Sequence, residues 1–276
     1  MRPSAAETAR TLARGRLPGL VRIGDASPGA SSGGPFGDLP VAGIQHATDR
    51  LGRPLLLAPA GEELATRLAR AEGPVRLSLS VDDVPPRPGA PSLGRVRIVG
   101  DLRPVSPAET REAVLEYAGS SADPDLFDVG SDPGDRVAIH RLEPSRVTLS
   151  RASSERGGAT EIIDPAAYAA AEPDPLHECE RDLLHDLADH HRTQLEDYLR
   201  RLLDDPRAFA HGPPQAMRLD RYGIVLDLNP GPGSARGERR RWMRLEFARP
   251  VAGQHDLAHL LHPILCAHRR CDAEDE

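Results

Sequence analysis

The sequence contains no lysine, since all 35 of its basic residues are arginines. This excludes chemistry that depends on a lysine amine, such as Schiff-base formation or phosphate binding by a P-loop lysine. A site for an anion must therefore use arginine side chains, backbone N–H groups or the N-terminus of a helix.

Aromatic residues are also scarce, at 3% of the 276 residues, and the formal net charge is −7. Single-stranded nucleic acid is usually bound by stacking on aromatic side chains, and duplex DNA by a basic surface. Both features therefore argue against a nucleic-acid-binding protein. With 39% hydrophobic residues the chain can still form a core, built mostly from leucine, valine, isoleucine and alanine.

Cysteine is nearly absent, and the three cysteines, Cys179, Cys266 and Cys271, form no CxxC pair. An odd number of cysteines without that spacing favours free thiols in a reducing cytoplasm. The sequence has no apolar run of about 18 residues, so we expect no membrane span. The N-terminal segment lacks the apolar stretch of a secretory signal, which also predicts a cytoplasmic protein.

The hydrophobic pattern divides the chain into two parts. Residues 1–156 contain six or seven short strands with small helices between them, which is typical of a small antiparallel barrel. Residues 157–175 are rich in proline and small residues and are interpreted as a linker. Residues 176–276 then predict a small α+β domain, with a helix at 176–204, a hairpin over 216–251 and a final helix at 253–271.

Histidines are concentrated in two segments, "HDLADHH" at 185–191 and "HDLAHLLHPILCAH" at 255–268. On the final helix a leucine-rich face lies opposite a row of His255, His259, His262 and Cys266. Side chains at these spacings can bind a metal ion, but a row opposite the core is most simply a solvated face. A surface zinc site and a site at a dimer interface remain open alternatives.

His268 falls near the apolar side of the same helix. It is either a packed residue or an imidazole available to a cofactor. On the first helix, His191 lies within the leucine stripe and is expected to be buried, whereas His185 is spaced to pair with Asp189. No G-x-G-x-x-G follows a strand, no G-x-S-x-G is present, and no nucleophile stands beside a base. The catalytic residues therefore stay unassigned, and whether the protein is an enzyme is left open.

Several segments together resemble the C-terminal domain of the HugZ-like heme-utilisation family, which also includes plant proteins that bind glutamyl-tRNA reductase. The resemblance covers roughly residues 178–270, from "ECERDLLHDLADHH" through "AMRLDRYGIVLDL" to "RWMRLEFARPVAGQHDLAHLLHPILCAH". The matching positions are Glu180, His185, Asp189, His190, Asp220, Tyr222, Gly223, Phe247, Pro250 and Val251.

This resemblance implies an α+β protein with an N-terminal FMN-binding-type split β-barrel, as in pyridoxamine-phosphate oxidase, before the C-terminal α+β domain. It also implies a homodimer. "PVAGIQHATDRLGRPLLLAP" is similar to the second and third strands of that barrel. Flavin-binding members carry polar residues at the start of the following helix, where this chain has "LATRL", with Leu64 and Ala65. A serine common in the second strand is Gly43 here, so the usual flavin site is not expected.

Heme-degrading members have an axial histidine near the C-terminus, and His268 is the nearest positional equivalent. By this resemblance His268 would ligate the heme iron, while Arg67, Arg70 and Arg269 would pair with the heme propionates. Three functions follow: a heme-binding protein, as a carrier or a heme-degrading oxygenase; an FMN-binding oxidoreductase; or a non-catalytic regulatory protein that binds a protein partner and has lost its cofactor.

Overall fold

The computed structural model describes residues 1–24, 40–69, 75–130, 137–151, 158–204, 209, 212–228 and 242–265. The chain forms two compact units. The barrel unit comprises residues 4–84 and 92–173, and the C-terminal unit comprises residues 174–276 together with 1–3 and 85–91. The segment 157–175, predicted as a linker, contains one strand and one helix, and both belong to the barrel unit.

The barrel unit contains these elements in chain order: α1 Ala5–Ala13, β1 Gly19–Ile23, β2 Val41–Ile44, β3 His46–Thr48, β4 Pro54–Pro59, α2 Glu63–Ala69, β5 Val75–Asp82, β6 Arg95–Pro104, α3 Thr110–Ala118, a 3-10 helix Pro124–Asp128, β7 Val137–Arg151, β8 Ala159–Ile163 and α4 Pro165–Ala170. Helix α1 begins with a capping box, in which the Ser4 hydroxyl accepts from the Glu7 N–H and the Glu7 carboxylate accepts from the Ser4 N–H.

The strands of this unit form one antiparallel sheet with the order β2-β1-β5-β6-β7-β4-β3, and β8 pairs with β7. Only Gln45 separates β2 from β3, yet β2 pairs with β1 and β3 pairs with β4. The strands at the two edges of the sheet, β2 and β3, are therefore consecutive along the chain. Because they lie next to each other in this way, the sheet curls into a barrel. This confirms the prediction of an α+β chain with an antiparallel barrel at its N-terminal end.

Strand β7 is longer than the short strands that the sequence predicts for this unit. It is continuous for 15 residues even though it contains Pro144. The register between β6 and β7 shifts beside Gly100, which pairs with Pro144. A Cβ atom on Gly100 would lie 1.9 Å from the Glu143 carbonyl oxygen, so the absence of a side chain permits this close approach.

Alternation of side chains along the strands separates the barrel interior from its surface. Leu56 on β4 and Leu142 on β7 point into the main core with α1, whereas Leu55 and Leu57 point to the opposite face of β4. There they pack with Tyr117 of α3 in a second cluster. The barrel wall is therefore covered on both faces at β4.

The C-terminal unit contains α5 Glu180–Asp189, α6 Arg192–Leu203, β9 Gln215–Asp220, β10 Gly223–Asp227, β11 Trp242–Glu246 and α7 Gln254–Leu265. Within the described residues, its strands form an antiparallel sheet with the order β11-β10-β9. The core of the unit lies among this sheet and the three helices.

The predicted helix at 176–204 is two helices, because α5 ends at Asp189 and α6 begins at Arg192. Both histidines at the break interact with Asp186, since His190 Nδ1 lies 3.0 Å and His191 Nε2 3.7 Å from its carboxylate oxygens. His191 is only partly buried, so the prediction of a buried histidine within one long helix was wrong. His185 pairs with Asp189 at 3.4 Å, as predicted.

Candidate functional site

A group of arginines on β1, β6 and β7 lies on the face of the barrel sheet that points away from its core. The strand register places Arg22, Ser78, Val99 and Arg146 beside one another in one row. Arg97 lies two residues from Val99 along β6, so its side chain leaves the sheet on the same face. The alternate positions of these strands are buried in the barrel core. We call Arg22, Arg97 and Arg146 the arginine face.

The electrostatics of this face favour an anion. Burial lowers the pKa of the Arg97 guanidinium, and the positive charges of Arg22 and Arg146 lower it further. Neither Arg97 nor Arg146 forms an ion pair with any residue that the structure describes. A carboxylate or phosphate group bound here would relieve the repulsion and accept hydrogen bonds from the guanidinium groups. Sequence reasoning missed this face, because it combines three strands that are far apart along the chain.

Of the arginines and the histidine predicted as cofactor ligands, the structure describes Arg67 alone. Arg67 lies in the last turn of α2, and its guanidinium group is hydrogen-bonded to the Glu63 carboxylate one turn earlier. Arg70, His268 and Arg269 lie outside the described residues.

The start of α2 differs from a flavin phosphate site in its packing as well as in its sequence. Leu64 is buried in the barrel core with 1% of its surface exposed, and Ala65 packs against the same core. Neither position presents a polar group to a ligand. Gly43 on β2 has a φ of +77°, and a Cβ atom there would meet no atom within 4 Å. The backbone conformation, rather than crowding, therefore suits glycine at this position.

A compact network of ion pairs joins β7 to the turn between β3 and β4. Asp49 accepts from Arg53 Nε at 2.6 Å and from the Arg53 backbone N–H at 2.9 Å, and Arg141 Nε lies 3.5 Å from the same carboxylate. Arg53 also binds Glu143, and Arg141 binds Glu109 before α3. These charges satisfy one another, so we assign them a structural role and not ligand binding.

The C-terminal unit contains a buried ion pair at the start of α5. Both oxygens of the Glu180 carboxylate accept from Arg218 on β9, at 2.9 Å from Nε and 3.1 Å from a terminal nitrogen. The Leu219 backbone N–H also donates to Glu180, at 2.9 Å. Glu180 is among the positions that carry the family resemblance, and its contacts show that it joins α5 to the sheet.

The turn between β9 and β10 brings together most of the other matching positions. Asp220 accepts from the Tyr222 N–H at 2.8 Å and from Arg244 at 2.5 Å. A Cβ atom on Gly223 would lie 2.3 Å from the Leu245 carbonyl oxygen, so glycine is needed there. The backbone N–H groups of Phe247 and Val251 donate to the carbonyl groups of this turn. The shared pattern therefore specifies the local fold of this unit.

The histidine row on α7 lies where the sequence predicts it. Leu257 and Leu261 are buried in the core, whereas His255, His259 and His262 are exposed. Cys266 lies outside the described residues. Across the described part of the chain, no group of three or more histidine, cysteine or acidic side chains is arranged to hold a metal ion. None of the described helices is both long enough and apolar enough to cross a membrane.

No protein-family model and no curated protein matches the chain. Among solved structures, a heme-binding protein from Mycobacterium smegmatis superimposes with a TM-score of 0.65 at 22% identity, over 96% of this chain and 97% of that one. This likeness shows a shared fold along nearly the whole chain.

Two further structures resemble the chain with lower scores. A pyridoxamine 5'-phosphate oxidase-related, FMN-binding protein from Nostoc punctiforme gives a TM-score of 0.33 at 13% identity, over 60% of this chain and 98% of that one. The flavocytochrome Anf3 from Azotobacter vinelandii gives 0.33 at 14% identity, over 59% and 79%. The structural neighbours of the chain therefore include a heme-binding protein, an FMN-binding protein and a flavocytochrome.

Proposed function

We propose that this protein binds heme. The observation that supports the proposal is the shared fold with the heme-binding protein from Mycobacterium smegmatis, which extends over both units of the chain. Likeness of fold alone does not assign a ligand, so the proposal also depends on whether the residues of this chain suit heme.

The described residues offer groups for the acidic part of heme. Heme carries two propionate groups, and arginine binds carboxylates through two parallel hydrogen bonds. Arg97 and Arg146 on the arginine face have no acidic partner among the described residues. We therefore add them to Arg67, Arg70 and Arg269 as candidates for binding the propionates, and we expect Arg67 to contribute least because Glu63 already engages it.

For the iron we retain His268 as the proposed axial ligand, from its resemblance to the axial histidine of HugZ-like proteins. Bound heme supplies the redox and oxygen chemistry of the iron. The contribution of the protein is then to hold the carboxylates, offer one imidazole nitrogen and limit the access of water. Membership of the HugZ-like family and a homodimer are part of the same proposal.

The usual flavin site fits this chain less well. Its phosphate would need polar groups at the start of α2, where Leu64 is buried and Ala65 packs against the barrel core. FMN is therefore the alternative cofactor, and it serves as the comparison ligand in the experiment.

The test is a titration of the purified full chain with hemin, followed by visible absorption, with FMN titrated in parallel. We expect a Soret band that saturates at one heme per chain and shifts or disappears in His268→Ala. Loss of one arginine–carboxylate interaction in Arg97→Gln should weaken heme binding by roughly ten- to a hundredfold. Arg200→Gln is the matched control, because Arg200 is exposed and paired with Glu196 on α6.

Each contrary result has a distinct meaning. If FMN binds saturably and hemin causes no spectral change, the cofactor is flavin and not heme, although Leu64 is buried at the start of α2. If neither ligand changes the spectrum, the protein functions without these cofactors, as a regulatory protein that binds a protein partner. If His268→Ala gives the same heme spectrum as the wild type, the protein binds heme but His268 is not the ligand of the iron.

A further inference from the structure

His255 and His259 form a preorganised pair on the exposed side of α7. They are one helical turn apart, and their Nε2 atoms lie 3.0 Å from each other. The ring centroids are 4.5 Å apart, with an angle of 84° between the ring planes. Two neutral imidazoles at this distance share one proton, since one Nε2–H donates to the lone pair of the other.

The same distance matches two ligands of one metal ion. Imidazole nitrogens bind Zn²⁺ at about 2.0–2.1 Å, so neighbouring ligands on one ion are separated by about 2.9–3.4 Å, depending on the coordination geometry. A metal ion can therefore replace the shared proton without a change in the helix and with small rotations of the rings. Both side chains are exposed, so entry from solvent is open.

The surroundings of the pair hold it in place. Leu257 and Leu261 anchor the other side of α7 in the core. Asp256, between the two histidines in sequence, accepts from Arg249 and from the Ala252 N–H. Its carboxylate is thus used to fix the start of the helix and is not a ligand.

We propose that His255 and His259 form a two-histidine site for a divalent transition-metal ion, with water completing the coordination. Neutral imidazole favours Cu²⁺, Ni²⁺ and Zn²⁺, whereas Mg²⁺ and Ca²⁺ prefer oxygen ligands. The site is separate from the proposed heme function and needs no heme. It accounts for a histidine spacing that the fold does not require, because both side chains point away from the core.

The test is calorimetric titration of the heme-free full chain with Cu²⁺, Ni²⁺ and Zn²⁺, combined with electron paramagnetic resonance of the Cu²⁺ form. We expect His255→Gln and His259→Gln each to remove one bound ion, or to weaken one binding event at least tenfold. The copper spectrum should show two nitrogen ligands in the wild type and lose that signature in both variants.

His185→Gln is the matched control, because His185 is an exposed helical histidine whose partner is Asp189 and not a second histidine. It should leave the number of bound ions and the copper spectrum unchanged. The proposal is wrong if the wild type binds none of the three ions, or if His255→Gln and His259→Gln bind them as the wild type does. A loss in His185→Gln equal to that in the two variants would also reject it, since the effect would then not be specific to the pair.

Discussion

Glu180 and Arg218 form a two-pronged ion pair in the interior of the C-terminal unit, although 38 residues separate them along the chain. Arg218 also donates to the Pro91 carbonyl oxygen at 3.2 Å, and the Leu219 N–H donates to Glu180. The pair therefore joins α5, β9 and the segment 85–91, which belongs to this unit. Its geometry satisfies both charges, which is the condition under which burial of an ion pair is tolerated.

Removal of one partner should destabilise the C-terminal unit strongly. In Glu180→Gln the Arg218 guanidinium keeps its charge but loses its carboxylate, and we expect a loss of about 3–5 kcal/mol in the free energy of unfolding. Urea unfolding followed by circular dichroism measures the change. Glu196→Gln, which breaks the more exposed pair with Arg200 on α6, should cost less than about 1 kcal/mol. Equal losses in the two variants would contradict a special role for the buried pair.

His46 gives the barrel unit a definite dependence on pH. Its Nε2–H donates to the Ala13 carbonyl oxygen at the end of α1, and the side chain is fully buried. Burial lowers its pKa to about 4 from 6.5. The folded state therefore binds fewer protons than the unfolded state between these values, and stability is lost as pH falls below 6.5.

The expected loss from this residue is about 2 kcal/mol at pH 5 relative to pH 7. The measurement is the urea midpoint of the wild type and of His46→Gln across this range. Glutamine can donate to the same carbonyl oxygen but does not titrate, so the variant should lose most of the slope. An identical slope in both proteins would assign the pH dependence to other groups.

Some of this organisation was readable from the sequence, because it depends on local spacing. The helical period predicted that Leu257 and Leu261 face the core while His255 and His259 face solvent. The Ser4–Glu7 capping box was also predictable from its spacing. In each case neighbouring residues determine the outcome.

Other features were not predictable, because their partners are distant or their local signal is ambiguous. The break between α5 and α6 contains neither glycine nor proline, and His190 and His191 at the break both contact Asp186. Strand β8 lies in a segment whose proline and small residues indicate a linker, yet it pairs with β7. The arginine face needs the sheet register, which no single segment encodes.

Leu64 stands where flavin-binding proteins of this fold have a polar residue, and we expect it to stabilise the barrel core instead. Because this side chain fills the barrel core, Leu64→Ala should destabilise the barrel unit by about 2–5 kcal/mol through lost burial and the remaining cavity. Leu51→Ala is the control, since Leu51 is 52% exposed and should change stability by less than about 1 kcal/mol. Thermal and urea unfolding measure both. A Leu64→Ala protein as stable as the wild type would mean that the barrel core does not depend on this side chain.

Asp174 should make the C-terminal unit less stable as pH rises, whereas His46 makes the barrel unit less stable as pH falls. Its two oxygens accept from the backbone N–H groups of Leu176 and Arg221, at 2.8 and 3.1 Å. Burial, with a contribution from the charges of Asp220 and Glu180, raises its pKa to about 6 from 3.8. The folded state then binds more protons than the unfolded state between these values. Its contribution to stability is complete below pH 3.8 and is lost as pH rises through 6.

The Asp174→Asn variant separates this effect from the hydrogen bonds. Asparagine has one oxygen and cannot accept in the same way at both positions, so the variant should be less stable than the wild type at pH 4. The difference in the free energy of unfolding between the two proteins should narrow by about 2 kcal/mol from pH 4 to pH 7, because only the wild type then carries a buried charge. Urea unfolding of both proteins at several pH values measures this difference in the free energy of unfolding. A difference that stays constant with pH would mean that Asp174 is already ionised at pH 4. The two N–H donors would then lower its pKa more than burial raises it.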